Sequence, residues 1–167
     1  GNMNLGVSVD IARAVVEKAG IVIVQTNSCM PEVDGDGWIC MDDVDYVVAR
    51  DEPLLEYIED VPGEVALKIG GYVSRIVDDG STIQVGYGSI PNAIVSGLSN
   101  KKHLGVHTEL FGDGIARLME SGAVDNSQKS LHPGKSIATF CMGKKKTFDF
   151  LRGNSSVEFR SIDYTNN

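Results

Sequence analysis

Apolar residues recur along this chain with two different periods, and the switches between them outline its elements. In "SVDIARAVVEKAG", Ile11, Ala14, Val15 and Ala19 fall on one helical face, and Gly20 stands where a C-terminal cap belongs. The β-branched run "IVIVQTN" follows and predicts a strand buried on both faces. "MPEVDGDGWI", with Pro31, Gly35 and Gly37, reads as a loop. "MDDVDYVVARDEPLLEYIEDVPGE" is less regular. Its acidic residues, Pro53 and Pro62 suggest a connection between two units, with a boundary near Pro62.

The pattern is cleaner beyond that point. "EVALKIGGYVSRIVDDG" places Val65, Ile69, Val73 and Ile76 on one helical face. Gly70 and Gly71 inside it each cost about 1 kcal/mol relative to alanine, so close packing is expected there. "STIQVGY" alternates Ile83, Val85 and Tyr87 as a strand, and "PNAIVSGL" opens a helix on Pro91, whose missing N–H has no helical partner to lose. "HLGVHTE" is a strand, "DGIARLMESG" a helix with Asp113 as N-cap, "SIATFCMG" a strand, "KTFDFLRG" a short helix and "SVEFRSIDY" a last strand. Alternation of this kind predicts an α/β fold, a mostly parallel sheet with covering helices. Ligands in such sheets sit beyond the carboxyl ends of the strands, which puts "GYGSIP" and "TELFGDG" at one rim.

Composition narrows the function. The net charge of −8 argues against a general nucleic-acid binder, which needs a basic face. The lysine runs Lys101–Lys102 and Lys144–Lys146 read as solvated surface. No apolar run approaches the roughly 20 residues of a membrane span, and "GNMNLGVSVD" lacks the basic and then apolar segments of a secretory signal. Cys29, Cys40 and Cys141 with His103, His107 and His132 show no metal spacing, so no metal site is expected. Reduced, mostly buried thiols in a cytoplasmic protein are the economical reading.

Two motifs could carry chemistry. "QVGYGSIPNAI" is a strand, a Gly-x-Gly turn and a helix start, a place where backbone N–H groups can hold a phosphate or a developing oxyanion. It departs from the dinucleotide fingerprint because position 91 is proline, and a purely structural turn fits the spacing as well. In "HLGVHTELFGDG", Glu109 comes at the end of the expected strand, opposite that turn. It is either a solvated strand end or a nucleophile towards an acyl group. His107 shares its strand face and could tune it, or be an ordinary satisfied polar residue. Asn27 reads as a loop-stabilising residue and Trp38 as packing.

The combination of G-x-G-x-I-P at 86–91 with H-[ST]-E-[LM]-x-x-D-G at 107–114, beside "GVSVDIARAVVEKAGIVIVQTN" and the terminal "SIDYTNN", resembles the acetyl-CoA hydrolase/4-hydroxybutyrate CoA-transferase family. That resemblance implies a partial two-domain CoA-transferase (NagB/RpiA-like) fold. Residues 1–62 would be the C-terminal part of the first domain plus a linker, and residues 63–167 the N-terminal part of the second. It implies Glu109 as nucleophile, and Gly86, Tyr87 and Gly88 as part of the oxyanion and thioester environment. Tyr87 stands where an aliphatic residue is more often met. No permanent cofactor is implied; coenzyme A thioesters and small carboxylic acids are the substrates, and the complete enzyme is expected to be a homo-oligomer. Such proteins are much longer, with a second glycine-rich loop further on, so this chain alone is expected to be incomplete and inactive. Hydrolysis, a nucleotide-dependent oxidoreductase built on the Gly-x-Gly turn, and a non-catalytic fragment are the alternatives.

Overall fold

In the computed structural model, residues 1–166 are described; Asn167, the last residue of the "SIDYTNN" motif, lies outside them. The strands are β1 (Asn2–Asn4), β2 (Ile23–Thr26), β3 (Asp34–Gly35), β4 (Trp38–Cys40), β5 (Tyr46–Ala49), β6 (Thr82–Ile83), β7 (Gly105–Val106), β8 (Leu110–Gly112), β9 (Ser136–Ala138), β10 (Phe140–Met142) and β11 (Val157–Phe159). The helices are α1 (Ala12–Lys18), α2 (Glu64–Ile76), α3 (Ser89–Ser96), α4 (Asp113–Glu120), α5 (Lys145–Leu151) and α6 (Ile162–Thr165), with one 3₁₀ turn at Met41–Asp43.

The expected α/β architecture holds. Parallel ladders join β6 to β7, β9 to β11 and β11 to β3, and a bridge from His107 to Ile137 carries the array across from β7 to β9. Further along the same two chain runs, β8 pairs in parallel with β10. β2 and β5 make a separate parallel pair, β1 and β4 pair antiparallel, and an antiparallel bridge joins Ser8 to Phe140. The core is built from Leu98, Leu104, Val106, Phe111, Ile115, Leu151, Val157 and Phe159, each at most 1% exposed. Stacking and tilted contacts of Phe111 with Phe150 and Phe159 tie α5 and β11 to β8.

Several local expectations fail for one reason: a period reports which residues could share a face, not what covers it. α1 forms, but Ile11, Ala14, Val15 and Ala19 are all exposed, and the helix ends at Ala19 in extended backbone, without the left-handed glycine cap expected at Gly20. β2 forms, yet Ile21 and Ile23 are exposed, not buried on both faces. On α2 the buried side is the small one, Ala66, Gly70 and Ser74, while Val65 and Ile76 face outwards. A Cβ on Gly70 would lie 2.7 Å from the Ala93 carbonyl carbon of α3, which is the close packing anticipated; around Gly71 there is open space.

Other departures concern the connections. The presumed loop at 30–39 contributes β3 and the start of β4, because Gly35, at φ +116°, lets the chain run against the Phe159 backbone. "YVVA" in the irregular stretch is β5. "SVEFRSIDY" is strand only to Phe159 and then turns into α6. Cys141 is buried, but Cys29 is exposed and Cys40 half-buried, so the thiols are not mostly buried. Trp38 is 41% exposed rather than packed away. No helix among the described residues is long and apolar enough to cross a membrane.

Candidate active site

The strand run from 104 to 112 does not end at Glu109, as its sequence suggests; it bends there and continues as β8. β9 and β10 bend at the matching position, Thr139, so the two runs kink side by side. The Glu109 carbonyl accepts from both Thr139 N–H (3.0 Å) and Phe140 N–H (3.3 Å). A bend re-aims a side chain that a straight ladder would hold in line.

β6 and β7 pair with Thr82 level with Gly105 and Ile83 level with Val106, and His107 N–H continues the ladder to the Ile83 carbonyl. The next step is made by a side chain. Thr108 Oγ1 accepts from Val85 N–H and donates to the Val85 carbonyl, both at 3.0 Å. Thr108 is 1% exposed, so this clasp is a buried, fully used pair of hydrogen bonds. Extending the register brings Gly86 level with Glu109. The hydroxyl of the H-T-E motif thus ties the glycine turn to the strand that carries the glutamate, a role that counting residues along one strand does not reveal.

Gly88 takes φ +122° and stands at the N-cap of α3, with no side chain capping the helix. Gly86 and Gly88 face open space: a Cβ on either would meet nothing nearer than Pro91, at 3.8 and 4.0 Å. Their backbone can therefore be approached closely from outside. Pro91 falls in the first turn of α3, where its missing N–H is harmless. Tyr87 is exposed and pairs with Tyr57 at 5.6 Å between ring centroids; the neighbouring Tyr87 side chain is the main cause pushing the Tyr57 phenol up to about 12. Both tyrosines line a narrow cleft with Gly86, Gly88, Leu110 and Arg117, which Glu59 meets at 3.6 Å.

Glu109 is not among the residues lining that cleft. Its carboxylate accepts from Asn166 Nδ2 at 2.8 Å, beside α6. His107 lies near the same segment, 6.1 Å between its ring centroid and that of Tyr164. His107 is held below the ordinary histidine range, first by burial and then by the Lys129 charge, against a hydrogen bond with the Thr165 backbone. Lys129, 6% exposed, donates from Nζ to the carbonyls of Val106 (2.7 Å) and Lys135 (2.6 Å). Burial brings its ammonium down to about 8, with Glu158 pulling the other way. Asn126 Oδ1 accepts from Val106 N–H at 2.9 Å, so Asn126 and Lys129 together clamp the backbone next to His107. Lys129 and Asn126 stand outside the two motifs around Gly86 and Glu109, and Asn166 belongs to the terminal "SIDYTNN" without being distinguished in it; no period or spacing singles any of them out.

Asp113 does not cap its own helix. Gly112 is the N-cap, and buried Asp113 Oδ1 accepts from Lys144 N–H (3.0 Å) and Thr147 Oγ1 (2.5 Å), capping α5 from the end of the neighbouring strand. Asn27 does stabilise its loop, donating to the Glu52 carbonyl (2.7 Å) and accepting from Cys29 N–H (3.0 Å). Lys145 and Lys146 are surface residues paired with Asp149 and Glu120. Among the described residues no group of three His, Cys, Asp or Glu side chains could hold a metal ion.

The family resemblance carried by the motifs holds along the chain. Residues 1–59 match the acetyl-CoA hydrolase/transferase N-terminal domain. The chain is 42% identical over 167 residues to a 4-hydroxybutyrate coenzyme A transferase of Clostridium kluyveri, covering all of this chain and 39% of that protein. It is 40% identical to a succinyl-CoA:cyclohexane-1-carboxylate CoA transferase of Geobacter metallireducens, over 99% of this chain and 38% of that one. Its fold superposes on the crystal structure of a 4-hydroxybutyrate CoA-transferase from Porphyromonas gingivalis with a TM-score of 0.93 at 35% identity, covering 100% of this chain and 43% of that one. For RipA from Yersinia pestis the TM-score is 0.94 at 32% identity, covering 99% and 39%. The chain thus spans about two fifths of the length of these relatives.

Proposed function

We propose, from the premise that this chain resembles CoA-transferases along its whole length, that it forms the nucleophile-bearing part of an acyl-CoA:carboxylate CoA-transferase. Residues 1–62 read as the end of one domain with its linker and residues 63–167 as the start of a second. The match over residues 1–59 and the start of α2 at Glu64 support that division. The complete enzyme would be cytoplasmic and homo-oligomeric, with acyl-CoA and small carboxylic acids as its substrates.

One observation carries the chemical reading: the Thr108 clasp on Val85 joins the residue before Gly86 to the residue before Glu109. A carboxylate is a weak nucleophile towards a thioester and needs alignment and a preorganised oxyanion site. Glu109 attacks the acyl-CoA carbonyl, giving a mixed anhydride and CoA thiolate. The thiolate attacks the glutamyl carbonyl, releasing the donor carboxylate and leaving a glutamyl-CoA thioester. The acceptor carboxylate attacks that thioester, and the freed thiolate then attacks the acceptor's acyl carbon. The products are a new acyl-CoA and the regenerated glutamate. With water as acceptor, the same thioester gives hydrolysis. The backbone N–H groups at Gly86–Gly88 and the open start of α3 stabilise the oxyanions, and His107 and Asn166 orient the carboxylate. Binding energy from the distant nucleotide end of CoA offsets strain at the reacting carbonyl.

A complete enzyme carrying this segment, incubated with acetyl-CoA, should gain a CoA-sized mass on the peptide containing Glu109. Glu109→Gln, nearly isosteric, should form no adduct while keeping its thermal midpoint. An adduct on a different acidic residue rules the assignment out.

A further inference from the structure

We propose that Thr139 is a positioning residue for Glu109, its hydroxyl donating a hydrogen bond to the glutamyl carboxyl group when that group leaves Asn166 to react. The inference rests on the CoA-transferase reading and extends it to a residue that no motif marks. Among the described residues, only two buried side-chain polar atoms lack a hydrogen-bond partner, Thr139 Oγ1 and Arg160 Nε. Thr139 is 0% exposed. An orphaned buried hydroxyl lowers stability, and an apolar side chain of the same shape would serve the fold better. The rest of Thr139 is fully used: its N–H donates to the Glu109 carbonyl, and its own carbonyl accepts from Val9 (3.1 Å) and Asp10 (3.2 Å).

The position of this orphan is what gives it a task. His107 is level with Ile137 and Leu110 with Phe140, the same offset on either side of the bend, so Thr139 is level with Glu109. Asp10 joins this bend to the segment that carries Asn166: its N–H donates to the Thr139 carbonyl (3.2 Å) and its carbonyl accepts from Ile162 N–H of α6 (3.1 Å), and Asn166 just beyond α6 meets Glu109. Neighbouring in-register side chains on adjacent strands are within reach of each other. Asn166 holds the resting carboxylate by its amide, and the hydroxyl offers the same carboxyl a second donor. It can donate to the carboxylate, to the carbonyl of the glutamyl thioester, and most strongly to the oxyanion formed when thiolate or acceptor carboxylate adds. The threonine keeps its proton throughout.

Thr139→Val removes the hydroxyl and keeps the shape; Thr139→Ser keeps the hydroxyl. In the complete enzyme, Thr139→Val should melt at or above the wild-type temperature while kcat and the rate of CoA adduct formation on Glu109 fall about ten-fold or more, with KM for acyl-CoA little changed. Thr139→Ser should restore most of the rate. A wild-type adduct rate in Thr139→Val, or a loss of stability that Ser does not repair, overturns the proposal. Wild-type enzyme that forms no adduct at Glu109 overturns the CoA-transferase reading itself, and this inference with it.

Discussion

Lys129 shows how one side chain serves both the fold and the candidate site. Its stem lies where a Cβ on Gly105 would be, and its ammonium fixes the Val106 carbonyl just before His107. Burial lowers its proton affinity to about 8 in the folded protein, against 10.5 ordinarily. Between those values the unfolded chain binds more protons than the folded one, so this group makes stability rise with pH from about 8 to 10.5. Below pH 8 both states carry the proton and the buried charge opposes folding in full. Guanidinium unfolding of wild type and Lys129→Met across pH 7.5–10.5 should show that rise only in wild type. Parallel slopes would mean the ammonium is not desolvated. His107 has the same sign: held below its ordinary range, it subtracts stability as the pH falls through about 6.5.

The close approach of α2 to α3 rests on only one of two adjacent glycines that the sequence does not distinguish. Gly70→Ala gains about 1 kcal/mol of helix propensity but drives a Cβ into the Ala93 backbone, an overlap of a kind that costs about 1–3 kcal/mol. Backbone cannot rotate away as a side chain can, so net destabilisation is expected. Gly71→Ala meets nothing within 4 Å and should stabilise by about 1 kcal/mol. Denaturant midpoints of the two variants should therefore move in opposite directions; movement in the same direction would show that the α2–α3 contact is loose. The same element shows why a hydrophobic period can mislead. Val65, Ile69, Val73 and Ile76 have helical spacing, but close helix approach selects the small side, 66, 70 and 74.

At the scale of the whole molecule, apolar surface is unevenly distributed. The parallel array around β7, β9 and β11 is dry, while Ile23, Tyr46 and Val48 of the β2–β5 pair and Leu55, Ile58, Val61, Tyr72 and Ile76 along the connection and α2 are exposed. Ile23 and Tyr46 are direct partners across β2 and β5, and apolar side chains exposed side by side form the kind of surface that takes up other apolar groups. The purified 167-residue chain should bind a hydrophobic dye such as ANS, and Tyr46→Lys with Val48→Glu should reduce that fluorescence. Unchanged fluorescence in the double variant would place the dye elsewhere.

What the amino-acid order determined by itself was local and chemical. The two periods announced alternating strands and helices, and the paired motifs around Gly86 and Glu109 carried the family resemblance. Only the tertiary structure decided which residues meet across the chain. Two residues of β3 pair with β11 more than a hundred positions away, Asp113 caps a helix other than its own, and Thr108 reaches Val85. Glu109 is a bend between two strands rather than a strand tip, with Asn166 on its carboxylate. The reason is physical: backbone preference and side-chain period are set by neighbours within a few residues, whereas pairing partners, burial and unsatisfied hydrogen bonds depend on which distant segments fill the same space.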